Sequence, residues 1–358
     1  MLPRVRLDDL GGWPAVLGPL TAGVDLGAEQ AAAALTEILE GNATSGQIAA
    51  FIVALRMKGE TVEEMVSLLA TLLEFAEPVP LPAGLAVVDT CGTGGDRSGT
   101  INVSTMAAVV VAGAGAPVCK HGNRAASSPS GSADVLEALG VAIDLGPVQV
   151  ARCVETVGMG FCFAPRFHAA LRHAGPTRRE LGVPTVFNFL GPMANPARAR
   201  RQVLGVSDPA MAEKMIGVLR ANGAERALVV YGHDGLDELT TTTTSTVWEL
   251  RDGSVRTYAV DPAELGLPAS NPEALLGGDA VRNAELTRRV LAGEHSPQRD
   301  FVLLNAAAGL VAAGLADDLI GGLEAATASV DDGRAAVVLD RLIKASQEQA
   351  AASEGSGI

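Results

Sequence analysis

The sequence predicts an α/β protein, an N-terminal helical domain followed by a larger α/β domain with a mainly parallel sheet surrounded by helices. Three observations predict it. Residues up to about Glu77 read as helices, two of them opened by capping boxes. From Leu85 onward, short apolar runs alternate with loops and helical runs, the pattern of a parallel sheet with crossovers. The polar motifs fall at the ends of those apolar runs, and ligands of such sheets sit at the carboxyl ends of strands. At 358 residues the chain is long enough for two domains. The division is expected as 1–80 helical and 81–358 α/β.

The elements follow in order. Ala28 to Leu39 is an alanine-rich amphipathic helix. Thr44 with Gln47 makes a capping box for a helix over Gln47–Lys58, with Gly59 as its C-cap. Thr61 with Glu64 opens a helix over Val62–Phe75. The proline-rich segment 78–82 acts as a stiff linker. A strand is expected over Leu85–Val88 and a helix over Met106–Ala114 with Ser104 or Thr105 as its N-cap. Strands follow at Pro117–Lys120, Gly158–Phe163 and Ala227–Tyr231, the last ending in Gly232. A loop over His121–Gly131 leads to a helix over Ala133–Leu139.

Composition narrows the function classes. Apolar residues make up 48% and aromatics only 3%, so the core must be aliphatic, with closely packed helices. A net charge of −14 argues against a general nucleic-acid binder, though a local cluster of donors or a metal still accommodates an anionic substrate. The four cysteines (Cys91, Cys119, Cys153 and Cys162) show no C-x-x-C spacing and read as reduced core residues of a cytoplasmic protein. No signal peptide is visible, and Val103–Val118 is too interrupted by glycine and proline to span a bilayer.

Four stretches carry chemistry. After the first strand, Gly92, Gly94, Gly95 and Gly99 let backbone approach a ligand closely, and a helix N-terminus follows. The same loop holds Asp96, Thr100, Asn102, Ser104 and Thr105, too polar a set for a plain turn. Arg97 stands where a G-x-G-x-x-G fingerprint needs glycine, and no Gly-Lys-Ser/Thr follows, so neither a dinucleotide nor a Walker loop is present. The second stretch, KHGNRAASSPSGS from Lys120 to Ser132, brings two cations beside a buried strand with no acidic partner nearby in sequence, which suits phosphate. The third holds Arg178, and an arginine pair near a helix end is more often surface than site. The fourth is the adjacent pair Asp237-Glu238, whose diverging carboxylates suit two neighbouring hard cations such as Mg²⁺. The five histidines make no metal spacing, and no strong general base stands out.

GTGGD at 92–96, NVST at 102–105, KHGNRAASS at 120–128 and Asp237-Glu238 together closely resemble the anthranilate phosphoribosyltransferase family of tryptophan biosynthesis. FCFAPRFH at 161–168 and FNFLGPMANP at 187–196 are similar to it too. The resemblance covers about residues 10–345. It implies transfer of the phosphoribosyl group of 5-phosphoribosyl 1-diphosphate to the amine of anthranilate. It also implies a helical domain rejoined by a segment near 177–192 and a homodimer formed through that domain.

Carried over residue by residue, the resemblance places the phosphoribosyl diphosphate on Gly92, Gly95, Asp96, Thr100, Asn102, Val103, Ser104 and Thr105. The remaining contacts to it fall on Lys120, His121, Gly122, Asn123, Arg124, Ala125, Ala126, Ser127, Ser128 and Ser132. Anthranilate falls on Gly92, Asn123 and Arg178, the last suited to a bidentate carboxylate grip. Two Mg²⁺ per subunit fall on Ser104, Asp237 and Glu238. The chain departs from the family pattern at Ala169, where proline is common, and at Met193 and Ala194, where leucine and threonine are. All three bear on the width of the anthranilate path rather than on the reaction. The alternatives are a pyrimidine nucleoside phosphorylase, which uses no magnesium pair, and a basic, non-catalytic nucleic-acid-binding relative.

Overall fold

The computed structural model describes residues 5–125 and 128–355. Four helices come first: α1 (Gly12–Thr21), α2 (Ala28–Leu39), α3 (Ser45–Lys58) and α4 (Val62–Phe75). Both capping boxes form as expected. The Thr44 and Thr61 hydroxyls accept the amides of Gln47 and Glu64, whose side chains reach back to the Thr44 and Thr61 amides.

The sheet has seven strands in the order β3-β2-β1-β4-β5-β6-β7. They are β1 (Val88–Gly92), β2 (Val118–Gly122), β3 (Met159–Phe163), β4 (Arg201–Gly205), β5 (Arg226–Gly232), β6 (Ser245–Arg251) and β7 (Ser254–Val260). The first five run parallel, while β6 and β7 are antiparallel. The β6–β7 turn is Asp252-Gly253, both at positive φ, the pairing a tight hairpin requires. Because β1 lies between β2 and β4, the chain leaves β1 to one side and returns on the other. The crevice between the carboxyl ends of β1 and β4 is therefore a topological switch point, the usual ligand position in such sheets.

Side chains alternate between two cores, as a strand period of two demands. Val203, Leu228, Val230 and Val247 face one core, built with α5 (Val103–Gly113), α13 (Pro297–Ala313) and the helices around them. Leu204, Ala227, Val229, Trp248 and Leu250 face the other, shared with α1–α4, α10 (Val186–Met193) and α11 (Pro209–Ala221). Helix approach is close, as the aliphatic composition suggests. A Cβ on Gly309 of α13 would stand 2.6 Å from a Val111 methyl of α5. The short helix α9 (Gly175–Leu181) packs on α3, and α10 packs on α3 and α4.

Several boundaries differ from expectation. β1 begins at Val88, not Leu85, because its neighbours are in register only from Val118 and Arg201 onward. It carries buried Asp89 and Thr90, which a search for apolar runs passes over. β2 likewise starts after Pro117, which has no amide to donate, and takes His121 and Gly122 out of the expected loop. α5 starts three residues early, so Ser104 and Thr105 lie in its first turn rather than at its N-cap. Asn102 flanks that turn without capping it, because its amide group is spent on Ser130 O (3.0 Å) and Asn283 Nδ2 (2.7 Å).

Candidate active site

Gly92 of β1 and Gly205 of β4 are paired at the carboxyl ends of adjacent strands. A Cβ on Gly92 would run into the Asp237 carboxylate, and one on Gly205 into the Asp237 backbone carbonyl. The two glycines open the crevice that Asp237 fills. Asp237 Oδ2 accepts the Gly94 amide at 2.7 Å and so ties the 236–242 segment to the glycine loop.

The carboxylates of Asp96, Asp237 and Glu238 lie within 4.8 Å of one another. The expected divergence of Asp237 and Glu238 is thus corrected. One ligand atom of each comes together, and Asp96 joins them. Burial, then the charge of Asp96, pushes the Asp237 carboxyl up to about 6, against the Gly94 amide. Burial, then Asp237 and Asp96, raises Glu238 well above the carboxylate range, and its Oε2 is buried without a hydrogen-bond partner. Three mutually repelling carboxylates with an orphaned oxygen are the donor set a hard divalent cation satisfies.

Lys120 is buried beneath this cluster and donates to Thr90 O and to Ser104 Oγ, the latter at 3.3 Å. It thus underlies the first turn of α5. Burial lowers its pKa, and Asp89, Cys91 and Glu238 oppose the fall. Asp89 is buried too. Its carboxylate accepts the His121 amide at 3.1 Å and Asn195 Nδ2 at 2.8 Å. Asn195 also donates to Cys119 O, so one buried amide locks β1, β2 and the 191–196 segment together. Val103, Thr105 and His121 are buried, whereas Gly95, Asn123 and Ser128 are exposed.

The glycine loop and the 120–132 loop meet. Asn102 reaches Ser130, Ser132 Oγ donates to Asn123 O at 3.2 Å, and a Cβ on Gly122 would strike the Ser132 hydroxyl. Asp134 accepts the amides of Ala125 and Gly131, both at 2.9 Å, and closes the loop on itself. Arg124 is a correction. Two acidic partners lie on the following helix, Asp134 at 2.9 Å and Glu137 at 2.8 Å, and the guanidinium is committed to them. Ala126 and Ser127 fall outside the described residues.

The third stretch reaches the same strand ends. Cys91 Sγ donates to Pro192 O at 3.4 Å, His168 Nε2 lies 2.9 Å from Ala194 O, and the His121 and His168 ring centroids are 5.1 Å apart. Burial lowers both imidazoles, His168 to about 4, so both are neutral at physiological pH. Arg178 on α9 stands 5.1 Å from the Phe187 ring centroid and, among the described residues, has no carboxylate partner. The cysteines are free, with Cys119, Cys153 and Cys162 buried.

Sequence reasoning missed Asp89, Asn195 and Gly205. An aspartate inside the apolar run V-V-D-T was the one legible signal, since a carboxylate is rarely buried without partners.

A helical bundle beside a seven-stranded α/β sheet, with a carboxylate-lined crevice at the switch point, is the architecture of the glycosyl transferase family whose models this chain matches. Residues 84–336 match the glycosyl transferase family a/b domain, and residues 14–76 match that family's helical bundle domain. An anthranilate phosphoribosyltransferase of Rhodococcus jostii is 56% identical, the match covering 92% of each chain. The crystal structure of anthranilate phosphoribosyltransferase from Thermus thermophilus superposes with a TM-score of 0.88 at 41% identity, covering 93% of this chain and 99% of that one. That of Saccharomyces cerevisiae in complex with PRPP and Mg superposes with a TM-score of 0.85 at 26% identity, covering 94% and 98%. The chain belongs to the anthranilate phosphoribosyltransferase family.

Proposed function

We infer that the enzyme transfers the phosphoribosyl group of 5-phosphoribosyl 1-diphosphate to the amine of anthranilate in tryptophan biosynthesis. The bond from C1 to the diphosphate oxygen breaks, and a bond from C1 to nitrogen forms. The amine proton is lost, and N-(5-phosphoribosyl)anthranilate and diphosphate leave. The observation that carries this reading is the carboxylate cluster that Asp96 of the glycine loop makes with Asp237 and Glu238, together with an Arg178 guanidinium that has no carboxylate partner among the described residues.

Mg²⁺ fits this donor set, and Asp237, Glu238, Asp96 and Ser104 are the residues that would hold it, two ions per subunit. When bound, Mg²⁺ neutralises charge on the diphosphate leaving group. The chain's own residues bind and orient. Among the described residues, the backbone amides of Gly95, Asp96 and Arg97 make no hydrogen bond, which leaves them for phosphate oxygens. Thr100, Asn102, Val103, Ser104 and Thr105 bring the N-terminus of α5 to the same anion. Lys120 adds buried positive charge below it, and Gly122, Asn123, Ala125, Ser128 and Ser132 supply the far wall. Arg124 shapes that wall through Asp134 and Glu137.

Arg178 grips the anthranilate carboxylate, with Gly92 and Asn123 beside the ring. The scissile bond is adjacent to a ring oxygen and breaks with oxocarbenium character, and an aromatic amine is already a neutral nucleophile. Positioning and charge neutralisation therefore suffice without a general base. Against the phosphorylase alternative, which uses no magnesium pair, stands the cation-binding donor set of Asp96, Asp237 and Glu238. Against the nucleic-acid-binding one stands the −14 net charge.

The helical domain is read as residues 1–80, rejoined by the segment near 177–192, and as the face of a homodimer. The free cysteines fit a cytoplasmic enzyme. Loss of anthranilate fluorescence with 5-phosphoribosyl 1-diphosphate and Mg²⁺ tests the reaction, with no loss on omitting either. Absence of turnover with all three present would overturn it. Light scattering tests the dimer, for which twice the 36.5 kDa chain mass is expected.

A further inference from the structure

The glycine loop is hard to hold in place. Gly94, Gly95, Arg97 and Gly99 all have positive φ, at 62, 85, 57 and 69°. Glycines carry large conformational freedom, and a non-glycine residue pays to enter that region. Gly94 and Gly95 are also exposed, so core packing does not order them.

Two side chains from outside the loop grip it. Ser207 follows β4, and its hydroxyl donates to Gly94 O at 2.8 Å. Its own amide donates to Thr93 Oγ1 at 3.1 Å, and Thr93 N donates to Gly205 O at 2.9 Å. Asp237 takes the Gly94 amide on the other side, so both polar groups of Gly94 are fixed from separate segments.

Ser207 is itself anchored through its neighbour. Asp208 caps α11 by accepting the Ala210 amide at 3.1 Å and pairs with Arg56 of α3 at 3.0 Å. The Arg56 guanidinium lies 5.1 Å from the Phe189 ring centroid and 3.3 Å from Glu60. A continuous path of contacts thus runs from the helical bundle through Asp208 and Ser207 to the loop.

We propose that Ser207 is a positioning residue that preorganises Gly94 and Gly95 for the diphosphate of the substrate. It touches neither substrate nor metal, and its effect is to remove an ordering cost from diphosphate binding. The inference rests on the functional reading above.

The experiment is steady-state kinetics of Ser207→Ala and Ser207→Thr with each substrate varied in turn, beside calorimetric titration with inorganic diphosphate and Mg²⁺. Losing one neutral hydrogen bond typically weakens an equilibrium about three- to tenfold. Ser207→Ala should raise the KM for 5-phosphoribosyl 1-diphosphate and weaken diphosphate binding by that factor. Its kcat and its KM for anthranilate should stay within about twofold. Ser207→Thr, which keeps the hydroxyl, should restore both constants. Unchanged diphosphate binding in Ser207→Ala, or no rescue by threonine, would overturn the proposal. A wild type that binds diphosphate but leaves anthranilate unconsumed would instead overturn the functional reading, and the binding comparison would still decide the role of Ser207.

Discussion

Gly205 lacks the one atom that would occupy the place of the Asp237 peptide carbonyl. The contact is with backbone, so no rotamer change can relieve it. Gly205→Ala must therefore push the 236–238 segment away from β4 or open the sheet. Overpacking of this kind costs about 1–3 kcal/mol. The expected outcome is a lower melting temperature together with a loss of at least about tenfold in kcat/KM, because displacing Asp237 disperses the carboxylate cluster. Thermal melts and the fluorescence assay measure the two, and wild-type kinetics in this variant would show that Asp237 need not sit where it does.

The cluster itself predicts a trade between stability and function. Glu238 is buried, repelled by two carboxylates, and has one oxygen without a partner. Glu238→Gln removes a carboxyl whose charged form the folded chain disfavours. In EDTA the variant should melt at or above the wild-type temperature. With Mg²⁺ the wild type should gain stability and the variant little, and turnover of the variant should fall by orders of magnitude. Asp237→Asn should lose turnover likewise. Full activity of the double variant in chelator would remove the metal from the reaction.

The helices of the first 75 residues were legible because their signals are local. Thr44, Gln47, Thr61 and Glu64 cap within one turn, and α2 and α4 fall where the pattern places them. The strands were less so, because pairing rather than composition sets their ends. β1 contains Asp89 and Thr90, which read as loop until Asn195 reaches Asp89 from 106 residues away and Lys120 reaches Thr90 from 30. β4 opens with Arg201-Gln202, which leaves an apolar run of only Val203-Leu204 before Gly205. Of the candidate site, the residues in glycine loops and acidic pairs were visible as motifs. The pairing of Arg124 with Asp134 and Glu137 was not, since both lie on a helix that folds back over the loop. Nor was Ser207, which belongs to no motif and matters only through where β4 ends.

The neutral histidines give the fold a dependence on pH. Burial lowers His168 to about 4, and His121 shifts in the same direction. Unfolded histidine titrates near 6.5, so between about 6.5 and 4 the unfolded chain binds protons that the folded chain refuses. The stabilisation is complete above that window and drains as pH falls through it. The His168 gap corresponds to about 3 kcal/mol. Because Asp237 and Glu238 are raised and stabilise the fold as they protonate over the same range, the readout is the difference between the two proteins: from pH 7 to pH 4 the denaturant midpoint of the wild type should lose ground relative to that of His168→Gln. Equal slopes would mean that His168 is protonated in the folded protein.

Arg178 offers the sharpest separation of the two substrates. Its guanidinium is pinned over Phe187, partly desolvated, and has no carboxylate of its own among the described residues. A cation kept in that state favours an incoming anion, and a planar fork matches the anthranilate carboxylate. Arg178→Ala should lower kcat/KM for anthranilate by about ten- to a hundredfold, the equivalent of one lost charged hydrogen bond of roughly 1.5–3 kcal/mol. The KM for 5-phosphoribosyl 1-diphosphate should barely move. Arg178→Lys should recover only part of the loss, since an ammonium neither stacks flat on Phe187 nor offers two parallel donors. Aniline, which lacks the carboxylate, should be a poor substrate for the wild type and should suffer much less from the substitution. Steady-state kinetics with each substrate varied in turn reads all of this. If Arg178→Ala raised only the KM for 5-phosphoribosyl 1-diphosphate, the guanidinium would be a phosphate group's partner, and the two substrate subsites would have to be exchanged.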